Sequence, residues 1–555
     1  MAHNFQSLDP GGYMRNVKKL LYTTLSLTAT GLIMRTVGVW FNVYLTNLIG
    51  TKGIGIFQLI LSVYAMAKTL AYAGMTLGAT RLCIDDFVTA RHSVRRVMVC
   101  ALIMGCFAGV ILYCSSPFLS DVWMKAPDAT DSLRVLSYSL PFVSMSAGLN
   151  GYMTAARKLG RYSLIQLMEQ LCRIITTILL ISNLSMTGQR EMMLFVSCGI
   201  TISELFSFSL CLISYLYDIK KHTMKKTGKK GFLKRFCRIA VPDAIGAYVR
   251  SGLNTVEHLL IPWGIRRSGI STEESFSAYG IVQGMALPVL LYPAAILGVV
   301  SSLLVPEIAE CKLKKNHKEI AYIINRVLKI TSIFSTAIAV IVFLYAETIS
   351  RAIFHTGESA PFLRILAPLI PVMYMDMTTD GMLKGLDQQL SLMRINVLDS
   401  LLCVALVYFL VPKAAVNGYI VTIYTAEIIN FILSFFKLRR NTTLSIRPFR
   451  HVLLPVFIAT ICFKAPSLFI EGIKKPVPEI IAVCGIGFIL YLLVLRLTGC
   501  VTKEDANWAK QLLTPSLSSS SRSEASRPRF SSAFAPGSKE ERTRRISHSP
   551  DHERA

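Results

Sequence analysis

Apolar segments long enough to cross a bilayer recur from Leu20 to Thr498, and several carry a charge near their centre. A helical crossing takes roughly 20 mostly apolar residues. Residues 20–49 meet that length and yet hold Arg35. A charge at that depth costs at least about 2.5–3.5 kcal/mol. Arg35 is therefore expected to face other helices or a watery cavity, not lipid. The chain must fold as a many-helix membrane protein with a polar interior. Only 17% of its 555 residues are charged, against about 25% in soluble domains. Helical segments of this length also exclude a β-barrel, whose strands alternate over about 10 residues.

The pattern reads as about fourteen spans at the expected length. Six fall near 20–49, 56–82, 97–118, 132–156, 162–184 and 192–216. Six more fall near 239–265, 275–304, 326–347, 362–385, 389–411 and 416–436. A final pair lies near 451–470 and 479–498. The expected organisation is a short N-terminus at 1–19, a first lobe at 20–216 and a basic connector at 217–238. A second lobe at 239–436, two further helices within 437–500 and a polar tail at 501–555 complete it. The tail is rich in Ser, Arg and Pro, the composition of a disordered segment.

The net charge of +26 sits largely in alternate loops. One set carries Lys18/Lys19, Arg91/Arg95/Arg96, Arg157/Lys158/Arg161, nine cations in 220–238, Lys312/Lys314/Lys315/Lys318 and Lys437/Arg439/Arg440. The other set is mixed or acidic, with Asp121/Asp128, Glu191, Glu273/Glu274 and Glu358. Basic loops stay cytoplasmic, so both termini are expected in the cytoplasm. The connector is then a topology determinant that also touches anionic lipid, and no nucleic-acid partner is expected. Lys18 and Lys19 lead into a full-length span without a small-residue cleavage site, unlike a signal peptide. The 13 cysteines are scattered with no CxxC pair and read as packing residues.

An internal repeat underlies the two six-span blocks. Pro141 and Gly151 match Pro371 and Gly381 at one constant spacing. Gly55-Ile56-Phe57-Gln58 opens the second span and Gly280-Ile281-Val282-Gln283 the eighth. Arg35 corresponds to Arg250, and Glu204-x-x-x-Phe208 to Glu427-x-x-x-Phe431. Each block has an even number of spans, so both enter from one side. That predicts two lobes related by an axis along the membrane normal, with a cleft between them.

Polar residues then mark the cleft. On the seventh span Asp243, Ala247, Arg250, Asn254 and Glu257 step by three or four and share a helix face, with His258 at its border. The matching stripe on the first span is Thr28, Gly31, Arg35 and Asn42. Lys68 lies between Tyr64 and Tyr72. Asp376, Asp380 and Lys384 follow on the tenth span, and Asn396 and Asp399 on the eleventh. Arg35, Lys68 and Arg250, with Asn254 and Glu257, are the expected binding set for an anionic headgroup. An arginine fork binds two diphosphate oxygens at once. The alternative is ion pairs that fix packing, for which Glu169 and Arg173 at i and i+4 are the better candidates. Arg250 and Glu257 lie about 10 Å apart along the axis and are not each other's partner. Asp376, Asp380 and Asp399 are candidates for ion coupling as well as for charge balance. His258 reads as a bundle-interior histidine. Pro288, Pro293 and Pro306 predict a kink in the eighth span.

No G-x-x-x-x-G-K-[ST] loop, H-E-x-x-H motif, metal-ligand spacing or nucleophile elbow occurs, so neither an enzyme nor a cofactor is expected.

Specific stretches resemble one family. They are Leu48-Ile49-Gly50-Thr51-Lys52-Gly53-Ile54-Gly55-Ile56-Phe57-Gln58-Leu59, Ala73-Gly74-Met75 with Arg81-Leu82, and Tyr279-Gly280-Ile281-Val282-Gln283-Gly284-Met285-Ala286-Leu287-Pro288. Leu304-Val305-Pro306-Glu307-Ile308 and Gly381-Met382-Leu383-Lys384-Gly385-Leu386-Asp387-Gln388-Gln389 extend the match. Over about residues 15–500 the chain resembles the stage V sporulation protein B group. That group belongs to the multidrug/oligosaccharidyl-lipid/polysaccharide (MOP) exporter superfamily. The resemblance implies fourteen helices in two lobes, and movement of lipid-linked sugars across the bacterial cytoplasmic membrane for spore cortex peptidoglycan. It also implies a cationic cavity with arginines on the first helix of each lobe, which Arg35 and Arg250 would supply. The last two helices would form a lipid-tail groove. The eighth span, 275–304, departs from such relatives in having no basic residue.

The expected function is a flippase for an undecaprenyl-diphosphate-linked wall precursor, lipid II foremost, acting by alternating access. Its partners would be that lipid, the surrounding membrane lipids and wall-synthesis enzymes. Two rivals remain at this point. One is a cation-coupled drug exporter of the same superfamily, using Glu257, Asp376 and Asp380. The other is a membrane scaffold that recruits wall-synthesis enzymes through its basic loops and tail.

Overall fold

The computed structural model describes residues 10–85, 90–184, 188–221, 232–444, 453–470, 476–502 and 504–505. The first nine residues, the middle of the basic connector and nearly all of the tail lie outside the described residues, as do the side chains of Lys18, Lys19 and Thr28. Helices α1 (Pro10–Tyr72), α2 (Met75–Asp85), α3 (Ala90–Phe118), α4 (Ala129–Ser137), α5 (Leu140–Ala155), α6 (Leu159–Leu184) and α7 (Gln189–Lys221) make the first half. The second half holds α8 (Phe232–Arg267), α9 (Thr272–Gly280), α10 (Leu287–Leu291), α11 (Ala294–Leu313) and α12 (His317–Leu344). It continues with α13 (Ala346–Phe354), α14 (Ala360–Leu366), α15 (Ile370–Gly385) and α16 (Gln389–Asn441). Helices α17 (Leu454–Ile470) and α18 (Pro476–Leu497) follow. Among the described residues there is no strand. Among the described residues seven helical stretches are long and apolar enough to cross a membrane. Large side chains such as Val99, Ile103, Phe107 and Val110 on α3 are exposed. A bilayer covers such a surface, because a helix satisfies its own backbone in hydrocarbon.

Several boundaries differ from the sequence reading, each for a local reason. The first two expected spans are joined without a loop: α1 is two helices that meet at Gly50, with φ 70 and ψ 178, and the second span continues into α2. Glycine adopts that left-handed conformation without a Cβ clash, so one residue reverses the chain. The two halves of α16 likewise meet at one residue, Ala415, with φ 48. The connector expected at 217–238 is shorter, because α7 continues to Lys221 and α8 begins at Phe232. The expected kink at the prolines is present. Residues Ile281–Ala286 form a π-helical turn just before Pro288, and the helix stops at Tyr292–Pro293 before α11 resumes. Pro288 and Pro293 lack the N–H that the regular ladder needs. Pro306 is accommodated inside α11.

The repeat is visible in backbone geometry. Arg157 after α5 and Asp387 after α15 both take positive φ, at the spacing that relates Gly151 to Gly381. Each sits in the same helix-ending motif. Lys158 N–H donates to Met153 O, and Gln388 N–H to Leu383 O, at 2.8 and 2.9 Å. Lys125 and His355 are a second left-handed pair at that spacing, both with φ 59. The matched glycines have matched neighbours: Gly151 lies against Thr76 and Ala79 of α2, and Gly381 against Ser301 of α11.

The largest apolar core joins the two halves. Leu45, Ile54, Leu59 and Ile60 of α1 pack there with Phe276, Val282, Leu290 and Tyr374. Gly55 and Gly280, which open the repeated motifs, face each other. A methyl group on Gly55 would overlap the Phe276 carbonyl, and one on Gly280 the Thr51 carbonyl. Close backbone approach of this kind needs small residues on both helices.

Candidate functional site

Two seams join the halves. In the first, α1 lies along α9 and α10. At the end carrying the acidic loops, Lys52 Nζ donates to Glu273 Oε1 at 2.6 Å, and the Thr51 and Ser277 hydroxyls are 2.6 Å apart. Midway, Asn42 Nδ2 donates to Gly284 O at 2.6 Å. Farther along, Arg35 Nη2 donates to Leu291 O at 3.1 Å, and Thr36 Oγ1 lies 3.1 Å from Tyr292 Oη. Beyond that point the chain bends at Pro293, and α11 packs chiefly on α15 while keeping contact with α1. Gly31, Leu32 and Ile33 of α1 are exposed there. In the second seam α8 packs on α1 and α2 and stays closed toward the basic end. Thr255 Oγ1 donates to Ser62 O at 3.0 Å, and the Ala240 backbone abuts Gly74.

The stripe expected on α8 is present. Asp243, Arg250 and Asn254 are exposed, and Ala247 and Glu257 are half-buried. Among the described residues Arg250 has no hydrogen bond or ion pair within 4 Å. Arg35 is half-buried and held only through the Leu291 carbonyl, which leaves part of its donor fork open. Both arginines act electrostatically on α15, Arg35 on Tyr374 and Arg250 on Asp380. Those two α15 positions are about 9 Å apart along the helix. Asn254 Oδ1 accepts from Ser400 Oγ at 3.1 Å.

Lys68 departs from the expected set. Its ammonium donates to Glu204 Oε1 of α7 at 2.9 Å. It lines a pocket of the first half with Tyr162, Gln166 and Glu169, and the cation is already matched by an acid. Glu169 and Arg173 form the expected structural pair at 2.8 Å. His258 is a structural histidine, bonded at Nδ1 to Tyr279 Oη at 3.0 Å.

The candidate coupling residues come together with partners that sequence reasoning did not place among them. Glu257, Asp376, Asp399 and Glu427 each face neighbouring carboxylates, whereas the charges acting on Asp380 are the cations Lys384 and Arg250. Asn430 Nδ2 donates to Asp376 Oδ2 at 3.0 Å. The Oδ1 atoms of Asp376, Asp380 and Asp399 are buried and lack a hydrogen-bond partner. Uncompensated buried carboxylates are costly, and a bound cation or proton relieves them. Among the described residues no group of three or more such ligands is close enough to hold a metal ion. Glu427 was legible as the repeat partner of Glu204. What set it apart is that, among the described residues, no lysine pairs with it as Lys68 pairs with Glu204.

The family profile described as "Polysaccharide biosynthesis protein" matches residues 20–312, and the profile "MatE" matches residues 272–409. The chain is 21% identical to "Stage V sporulation protein B" of Bacillus subtilis (strain 168) over 500 residues. That match covers 87% of this chain and 96% of the relative. Its fold is similar to that of "Lipid II flippase MurJ, inward closed conformation". There the TM-score is 0.66 at 15% identity, covering 84% of this chain and 97% of the other. It is also similar to the inward-facing conformation of a multidrug resistance MATE family transporter of the MOP superfamily. That TM-score is 0.57 at 16% identity, covering 76% of this chain and 98% of the other.

Proposed function

Because the chain belongs to the polysaccharide biosynthesis protein family, as a MOP-superfamily transporter of the stage V sporulation protein B type and not an enzyme, we propose that it flips an undecaprenyl-diphosphate-linked wall precursor, lipid II foremost. Fourteen spans in two six-helix lobes, related by an axis along the membrane normal, would carry this activity with α17 and α18 added. The basic loops face the cytoplasm, both termini lie there, and the membrane is the bacterial cytoplasmic membrane.

One observation carries the reading. Arg35 and Arg250, which correspond in the sequence repeat, both lie on long helices, and among the described residues neither has an acid within ion-pair distance. In this reading the lipid-borne headgroup enters from the side, between the two halves. The guanidinium forks grip the diphosphate while the isoprenoid stays in lipid. In this reading the acidic-end seam closes the cleft on the outer side, and the headgroup is taken up from the cytoplasmic side. Breaking the Lys52, Thr51 and glycine contacts would turn the headgroup outward.

The test uses purified protein in liposomes with a fluorescent lipid-linked precursor. The double variant Arg35→Gln/Arg250→Gln should abolish transport while leaving insertion and thermal unfolding unchanged. Flipping at the normal rate would overturn the reading.

The carboxylate cluster favours a second element, coupling of the cycle to a cation or proton at Asp376, Asp380 and Asp399. The same cluster, with the match at residues 272–409, is what a cation-coupled multidrug exporter would need. Drug resistance in an overexpressing strain, absent in Asp380→Asn, would favour that exporter instead.

A further inference from the structure

A second polar cavity lies apart from the arginines, inside the first half. It has a volume of about 270 Å³ and opens among α1, α2, α5, α6 and α7. That is below the roughly 300–1,000 Å³ of pockets that take drug-sized ligands. It has room for one ring, not for a complete lipid-linked headgroup.

Its charges cancel. Lys68 is paired with Glu204, and Glu169 with Arg173. A diphosphate entering here would meet two carboxylates whose counter-cations are already engaged. The remaining wall is uncharged and hydrogen-bonding: Asn150, Gln166, Ser146 and the rings of Tyr72 and Tyr162. The Ser146 hydroxyl is buried and has no hydrogen-bond partner. Carboxylates accept strong bonds from hydroxyls, side-chain amides donate and accept, and tyrosine offers an apolar face with a polar tip. This is the chemistry that recognises a neutral polyhydroxylated or N-acetylated ring.

The cavity is also near the arginine site. Gln170, one residue beyond the wall residue Glu169, donates through Nε2 to Met34 O at 2.8 Å. Met34 precedes Arg35 in α1. Helix α6 thus carries the cavity wall on one turn and touches the arginine's own backbone on the same turn.

We propose that this cavity is a sugar subsite: it takes one uncharged ring of the transported headgroup while Arg35 and Arg250 hold the diphosphate. The proposal rests on the flippase reading above. It divides recognition in two, with the charge read between the halves and the sugar read inside the first half.

The test measures binding of two probes to the full-length protein in nanodiscs. One is undecaprenyl diphosphate, and the other is the same lipid carrying a single N-acetylhexosamine. Wild type should bind the glycosylated lipid more tightly. Asn150→Ala/Gln166→Ala should lose about tenfold in affinity for the glycosylated lipid and nothing for the bare one. Ser146→Ala is the control for folding. Its hydroxyl has no protein partner to lose, so thermal unfolding should be unchanged while affinity for the glycosylated lipid falls about threefold. Equal binding of both lipids by wild type, or equal effects of the variants on both, would overturn the sugar subsite. Arg35→Gln/Arg250→Gln should weaken both lipids alike. If it weakens neither, the flippase reading fails, whatever the sugar variants do.

Discussion

Glu204 on α7 and Glu427 on α16 stand at matching places in the two halves, yet only Glu204 has a cation against it among the described residues. In the first half two acids meet two bases, Lys68–Glu204 and Arg173–Glu169. In the second half Glu427 joins Glu257, Asp376, Asp380 and Asp399, where Arg250 and Lys384 act on Asp380. Duplication copied the acid but not its partner. A compensated pair holds helices in place. An uncompensated cluster costs stability, and its retention points to use during the cycle.

The largest expected effect tests the compensated side. Glu204 is 6% exposed and Lys68 30%. Lys68→Met should strand the carboxylate and lower stability in detergent by about 3 kcal/mol, since breaking a buried pair leaves a charge alone. Glu427→Gln should cost nothing or stabilise, because no partner is abandoned. If the two variants cost the same in thermal or denaturant unfolding, the contrast between the halves is wrong.

Next comes the place where the halves are alike. Gly55 and Gly280 touch backbone to backbone, so no side chain can swing away to make room. Gly280→Ala should cost about 2 kcal/mol by overpacking and push the acidic end apart. Spin labels placed on either side of that end should report a longer distance. An unchanged distance would remove this seam from the gating mechanism.

The repeat motifs were legible because each carries a backbone requirement. Gly55 and Gly280 mark a close approach, and Gly151 and Gly381 mark helix packing. Arg35 and Arg250 were legible because a charge in an apolar span is costly wherever it stands. Lys68 was not placed correctly, because helical spacing gives a side chain's face but not its partner. Glu204 lies 136 positions away in sequence. The acidic cluster was only half legible for the same reason: Glu257, Asp376, Asp399 and Glu427 come from separate spans, and their convergence depends on packing. Span ends were blurred where one residue, Gly50 or Ala415, replaces an expected loop. Periodicity cannot register a reversal that short.

A smaller effect sharpens the contrast from the acidic side. Asp399 Oδ1 is buried without a partner. Asp399→Asn removes a charge without stranding another, and should raise stability by about 1 kcal/mol. If the coupling reading holds, the same variant should also flatten the dependence of transport on cation or proton gradient. Reduced stability with unchanged coupling would return Asp399 to a packing role.

The smallest effect separates the two latches that close the acidic end. Thr51 with Ser277 is uncharged, whereas Lys52 with Glu273 is an exposed ion pair. The hydrogen bond from Lys52, reinforced by its charge, holds the Glu273 carboxyl below the usual carboxylate range. A carboxylate with a depressed value contributes stability above its unfolded value of about 4.3. That contribution is lost as pH falls through the folded value. Acidification from neutral to below that range should therefore loosen the ionic latch and leave the hydroxyl pair intact. The spin-label distance should lengthen slightly at low pH in wild type. It should not respond in Lys52→Gln, where no cation remains to be released. Salt should mimic acid in wild type, since exposed pairs are screened. A pH response that persists in Lys52→Gln would move the titrating group elsewhere and leave the ionic latch without a role in closure.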